Sequence, residues 1–318
     1  MLLGGAAALV APAATTYAAP GLAGKALAAT YNGVTTGSGG RWHSCVTDLM
    51  SANPVPVVDH DADFVIEGAS VQKLAVGVAL LGAVDEGRLS LHDTVELNAD
   101  ILAPGSGIYH RQTVYGDRLT LSNVLVAMLQ VSDNTAVRLI GSKLPGTEIN
   151  SILAAKGFEK TRVEPLPGNP HRFWLGVTTP REINTLLCKL VTGTLLTPAS
   201  TQTMLRILTW PSVGYVDGVR RSMSSLERAR IATKYGANED KRHEAGVLFD
   251  ANGAPQLVYA YFADQAPDPD NYGATNPIVQ AHAVLGRAML DEYTYLSPLS
   301  ALIDPQAINR NIAAGAAR

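Results

Sequence analysis

The sequence predicts an α+β fold in which one antiparallel sheet, assembled from both ends of the chain, carries a helical insertion. Three observations point there. Strand-like runs stand toward both ends, at 41–58 and 244–262, whereas helix start and stop signals fill the middle. Asn252-Gly253 separates the two C-terminal runs, and Asn-Gly between apolar runs is the strongest short-range hairpin signal. At 318 residues the chain is long enough to bury a sizeable core.

In chain order, Thr36-Gly37-Ser38-Gly39-Gly40 reads as a glycine-rich linker, 41–50 as a strand, Ser51-Ala52-Asn53-Pro54 as a turn and 55–58 as a second strand. Ser70 opens a helix that runs to Val84, with Leu74, Val78 and Leu81 on one stripe and Gly87 as its stop. Thr120 caps a helix ending at Leu129. Asn134 begins another, Thr135 to Ile140, closed by Gly141. Thr179-Pro180-Arg181-Glu182 is a capping box with proline at the first helical position, and its helix runs to Gly193. Residues 244–249 and 256–262 are rich in β-branched and aromatic side chains, 276–290 return to helical spacing, and 303–318 read as a loose tail.

Composition narrows the class. A hydrophobic share of 47% and a charged share of 17% describe a globular chain. The net charge of −3 comes without a basic block, which gives no footing for nucleic acid or an anionic membrane surface. Cys45 and Cys188 lie in no metal-like or C-x-x-C spacing, so a disulfide framework is excluded and both are expected as free thiols. Residues 1–19 carry no charge and end in small residues, like the apolar and cleavage regions of an export signal that lacks its basic start. Pro12 interrupts a stretch already short for a membrane span, so no stable anchor is expected.

The chemistry rests on three short motifs in a fixed order: Ser70-Val71-Gln72-Lys73, Ser132-Asp133-Asn134 and Lys234-Tyr235-Gly236. At average usage roughly one S-x-x-K and about one K-x-G arise by chance in such a chain, and a Ser-Asp-Asn triplet is rarer. The order and spacing of all three together carry the argument. Ser70 and Lys73, three apart on a helix, share a face, and an amine kept neutral by burial can take the serine proton. A helix start also leaves the Ser70 amide free to face an oxyanion. Seven histidines show no H-x-H or H-E-x-x-H spacing, which speaks against a zinc hydrolase and for a site without metal or cofactor.

These motifs resemble the active-site set of class A β-lactamases, within the β-lactamase and penicillin-binding-protein superfamily. The resemblance covers roughly residues 26–295 and implies a serine β-lactamase-like fold: an antiparallel sheet flanked by terminal helices, plus an inserted helical lobe. The implied division is a signal-like segment at 1–24, an α/β lobe from 25–70 and 210–295, a helical lobe at 71–209 and a tail at 296–318. It implies hydrolysis of a β-lactam by a monomeric, exported enzyme, through a Ser70 acyl-enzyme. D-Ala-D-Ala peptidase or esterase activity with the same nucleophile is an alternative, as is a non-hydrolytic penicillin-binding protein.

By the same resemblance Ser132 relays a proton to the leaving nitrogen, Asn134 holds a substrate amide, and Lys234 supplies positive charge to a substrate carboxylate. The Ala237 amide completes the oxyanion hole, Arg220 stands fourteen residues before Lys234 as a carboxylate partner, and Tyr109 forms a cleft wall. Tyr235 departs from the family's Thr or Ser and adds bulk at the pocket floor. Arg162-Val163-Glu164-Pro165 matches part of the loop whose glutamate activates the deacylating water. The expected asparagine is Asn169, five residues after Glu164 instead of four, and Val177 replaces the loop's aspartate. An alternative alignment, on Thr161-Arg162-Val163, leaves Glu164 with no catalytic counterpart.

Overall fold

A computed structural model describes residues 21–50, 53–212 and 214–294. The signal-like stretch up to residue 20, Ser51-Ala52 of the expected turn, and the tail at 296–318 lie outside the described residues. The elements follow in order: α1 (Leu22–Ser38), β1 (Arg41–Asp48), β2 (Val55–His60), β3 (Ile66–Glu67), α2 (Lys73–Asp85), β4 (Thr94–Leu97), β5 (Asp117–Thr120), α3 (Leu121–Gln130), α4 (Asn134–Gly141) and α5 (Gly146–Ala155). Then come β6 (Arg162–Leu166), β7 (Asn169–Thr178), α6 (Pro180–Val191), α7 (Pro198–Leu208), α8 (Ser225–Arg228), β8 (Ile231–Asn238), β9 (Lys241–Phe249), β10 (Pro255–Asp264) and α9 (Pro277–Thr294).

The main sheet has the order β2-β1-β10-β9-β8, all antiparallel, so the two chain ends build one sheet as expected. Its central strand β10 is buried on both faces. Leu257, Tyr259, Tyr261 and Ala263 enter a core shared with α1 and α9, while Val258, Ala260 and Phe262 enter the core of the helical lobe. Period-two alternation thus sends one strand into two cores. Helix α2 is the hub of the second core: every residue from Lys73 to Ala83 is buried, the pattern of a helix apolar all round. No helix among the described residues is long and apolar enough to cross a membrane.

Several expectations change. Thr36, Gly37 and Ser38 complete α1 instead of forming a linker, and only Gly39 and Gly40, both at positive φ, make the turn into β1. Helix α1 begins at Leu22, inside the segment assigned to the signal. Ser70 lies in a 3-10 turn, Ala69–Gln72, that precedes α2. The capping box at α6 is half made: Thr179 accepts from the Glu182 amide at 3.1 Å, but the Glu182 carboxylate accepts from the Lys160 amide and the Thr161 hydroxyl.

The largest change is at 161–178. The resemblance implies a loop; the structure has the β6–β7 hairpin, turning at Pro167-Gly168 with Leu166 opposite Asn169. Pro then Gly at positive φ is the signature of a type II turn, and Pro165 is tolerated because β6 is an edge strand.

Both cysteines are free; Cys45 is buried and Cys188 partly so. Burial also marks the histidines. It lowers the His243 imidazole to about 4 and the His282 imidazole to about 3, from an ordinary 6.5. The unfolded chain therefore takes up both protons first, and stability is lost as pH falls from 6.5 toward those values. Glu244, raised by burial to about 7 from 4.5, opposes this by one proton between 4.5 and 6.5. Two protons against one leave a net loss on acidification. Thermal melts should show a falling Tm from pH 6.5 to 4.5, shallower in His282→Gln; a flat profile would contradict the assignment.

Candidate active site

Ser70, the expected nucleophile, is positioned by its neighbours. Ala69 adopts φ +43°, an uncommon conformation for a residue with a side chain, immediately before Ser70. The turn is tied to the hairpin, because the Gly68 amide donates to the Gly176 carbonyl at 3.0 Å and Gln72 Nε2 donates to the carbonyls of Arg162 and Val177. On the other side runs β8. A Cβ at Gly236 would lie 2.7 Å from the nitrogens of both Ser70 and Val71, so only glycine lets the strand pass this close. Ala237, partly buried, follows it, opposite Arg242 on β9.

Three motifs that lie far apart in the chain converge on one hydroxyl. Ser132, at φ +57°, presents its Oγ to Lys73 Nζ at 3.1 Å and to Lys234 Nζ at 3.0 Å. Lys73 Nζ also donates to the Ser132 carbonyl at 2.5 Å and to Asn134 Oδ1 at 2.7 Å. Lys234 Nζ donates to the Tyr235 carbonyl at 2.8 Å. Burial, and then the charge of Lys234, hold the Lys73 amine well below its ordinary range, with Asp133 opposing. Burial brings Lys234 down to about 7, against the pull of Glu244. Two desolvated amines sharing one hydroxyl make it easier to keep one of them uncharged.

Asp133 orders the loop. Its Oδ1 caps α4 by accepting from the Ala136 amide, while Oδ2 accepts from the amides of Ile108 and Tyr109 at 2.6 and 2.8 Å. This turns Tyr109 inward: it is buried in the helical-lobe core with its hydroxyl on the Asn123 carbonyl, and the expected cleft wall is not its place. Ile108 beside it is the exposed residue. Asn134 Nδ2 donates to the Pro104 carbonyl, so its amide already joins two segments of the helical lobe.

Glu164 stands on β6 opposite Trp174, and both side chains are exposed, while Val163 between the exposed positions points into the core. Arg220 is buried, and its guanidinium donates to the backbone carbonyls of Trp210, Leu208 and Ile231, bracing α7 against β8. With both terminal nitrogens on carbonyls and only the buried Nε without a partner among the described residues, no two-nitrogen fork is left to present to a substrate carboxylate. Arg242 likewise donates to the carbonyls of Glu239, Lys241, Pro269 and Asn271.

Sequence reasoning missed two residues here. Tyr215 stacks on Tyr235 with ring centroids 3.8 Å apart and planes within 13°. Glu244, fully buried, accepts from Thr233 Oγ1 and the Val219 amide behind Lys234. No local signal marks Tyr215. Glu244 ends the polar run Lys241-Arg242-His243-Glu244, so only the fold reveals its burial. Among the described residues no group of three or more His, Cys, Asp or Glu is placed to hold a metal ion.

A serine in a 3-10 turn before a helix, a desolvated lysine three residues on, and a second hydroxyl shared by two amines are the parts that a serine hydrolase needs for acyl transfer. A sequence profile described as the β-lactamase enzyme family matches residues 26–291, and the chain belongs to that family. It is 25% identical over 200 residues to a β-lactamase of Rhodobacter capsulatus, spanning 61% of this chain and 67% of that one. Among solved structures, a β-lactamase from Sphaerobacter thermophilus superposes with a TM-score of 0.69 at 24% identity, covering 86% of this chain and 98% of that one. A variant of PBP-A, captured as an acyl-enzyme with penicillin G, superposes with a TM-score of 0.66 at 24% identity, covering 84% and 96% of the two chains.

Proposed function

We propose that the chain opens a strained or activated acyl bond, a β-lactam amide above all, by forming an acyl-enzyme at Ser70. The observation that carries this reading is the Ser132 hydroxyl held between Lys73 and Lys234 beside the start of α2. Ser70 Oγ attacks the carbonyl carbon as its proton passes to the uncharged Lys73 amine. The amides of Ser70 and of Ala237, the residue after Gly236, receive the negative charge on the carbonyl oxygen, and the close pass of Gly236 by the Ser70 nitrogen supports this. The proton then moves through Ser132 to the leaving nitrogen, and the amide bond breaks. The reading invokes a small-molecule substrate, a monomer and no cofactor. Export rests on the uncharged residues 1–19.

Water must then release the acyl group, and Glu164 is the carboxylate assigned to activate it. Its exposed place on β6 favours a second reading, in which acylation is followed by slow release, as in a penicillin-binding protein. Intact mass during incubation with a penicillin, run beside a hydrolysis assay, separates the two. Turnover with little adduct supports the hydrolase, and a lasting adduct supports slow release. Glu164→Gln keeps shape and acylation but removes the proton acceptor, so a burst, slow turnover and a persistent mass shift are expected of it. Unaltered turnover would make Glu164 an ordinary strand carboxylate.

A further inference from the structure

The side of the cleft next to Lys234 is aromatic where charge recognition would need open cations. Tyr215 and Tyr235 stack on each other, both only partly buried, and Lys234 Nζ lies 5.1 Å from the centre of the Tyr235 ring. Both rings, with Lys234, Thr233 and Arg220, line a single small recess. Both terminal nitrogens of the Arg220 guanidinium are spent on backbone carbonyls there, leaving only the buried Nε without a partner among the described residues. One of those carbonyls belongs to Trp210, which is itself half exposed at the same end of α7. Lys234 Nζ is buried and already donates to Ser132 Oγ and the Tyr235 carbonyl.

A carboxylate entering here would lose its water against two phenol rings, with one remaining ammonium donor to receive it. Desolvating an anion is costly without well-formed partners. A flat uncharged group would lose little hydration and gain an aromatic edge or face to pack against.

Resting on Ser70 as the nucleophile, we infer that the Tyr215–Tyr235 stack makes this cleft selective for acyl donors whose leaving group is uncharged and flat, such as aryl esters, over donors carrying a carboxylate beside the scissile bond. In that reaction Ser70 Oγ bonds to the acyl carbon as the bond to the aryloxy oxygen breaks. The Ser70 proton, taken by Lys73, reaches that oxygen through Ser132. Water then splits the acyl-enzyme into a carboxylic acid and free Ser70. Tyr235 sets the preference by shape and stacking.

The test compares a neutral p-nitrophenyl ester with penicillin G, reading kcat/KM and the mass shift at Ser70 in wild-type protein, Tyr235→Thr and Tyr235→Phe. Wild type should favour the ester by at least tenfold. Tyr235→Thr should raise kcat/KM for penicillin G about tenfold for each 1.4 kcal/mol of transition-state binding recovered, and lower it for the ester through KM. Tyr235→Phe, which keeps the ring, should retain the ester preference. Ser70 acylated faster by penicillin G than by the ester in wild type overturns the inference and leaves the nucleophile standing. A Tyr235→Thr variant with unchanged relative rates overturns it too. Ser70 modified by neither reagent overturns both readings.

Discussion

Ser70→Ala should abolish acyl-enzyme formation with every acyl donor and leave the fold intact. The side chain is partly exposed in a 3-10 turn whose hold on the protein runs through Gly68, Gln72 and the pass of Gly236, none of which uses the Ser70 hydroxyl. Its removal should therefore cost less than the roughly 1 kcal/mol typical of point substitutions. Turnover should fall by as much as about a millionfold, the scale recorded when a serine hydrolase loses its nucleophile. Intact mass after incubation, with a thermal melt as control, reads both effects. An adduct at full yield in the variant would mean that another group is the nucleophile.

Lys73→Ala is the second large effect. Burial and Lys234 hold the Lys73 amine well below its ordinary range, which is what lets an amine act as a base near neutral pH. Acylation should slow by about a hundred- to ten-thousandfold, the usual contribution of a positioned base. The uncharged amine is lost as pH falls through its lowered pKa, so wild-type acylation should weaken on the acid side and that limb should vanish in the variant. Truncation also strips a donor from the Ser132 carbonyl and Asn134 Oδ1, and buried acceptors left unpaired cost about 1–3 kcal/mol. A melt must show the variant folded before its rate is read. Acylation at the wild-type rate, with the same pH profile, would show that Ser70 is activated by something other than Lys73.

What the chain determines by itself is local. Hydroxyl, amine and amide stand in three short motifs. Thr120 and Asp133 cap their helices from three residues away, and Asn252-Gly253 lies in the turn that joins β9 to β10. Each of these signals works within a few residues, where backbone geometry and side-chain reach suffice. The two-sided burial of β10 is also written locally, as an unbroken apolar run.

Tertiary packing decided the rest. Lys73 meets the Ser132 hydroxyl across 59 residues and Lys234 meets it across 102, and no spacing rule sets those distances. Burial tunes both amines, and it is a property of the assembled lobes. Glu164 stood in what the resemblance implied to be a loop, and only pairing with β7 made it a strand residue on an exposed face. Asp133 turned Tyr109 away from the cleft by taking its amide. Arg220 had the sequence position of a carboxylate binder, but three backbone carbonyls left open by the packing of α7 against β8 claimed its guanidinium. Tyr215 reached Tyr235 from a segment with no motif at all, because contact between residues remote in the chain is set by the shape of the core beneath them.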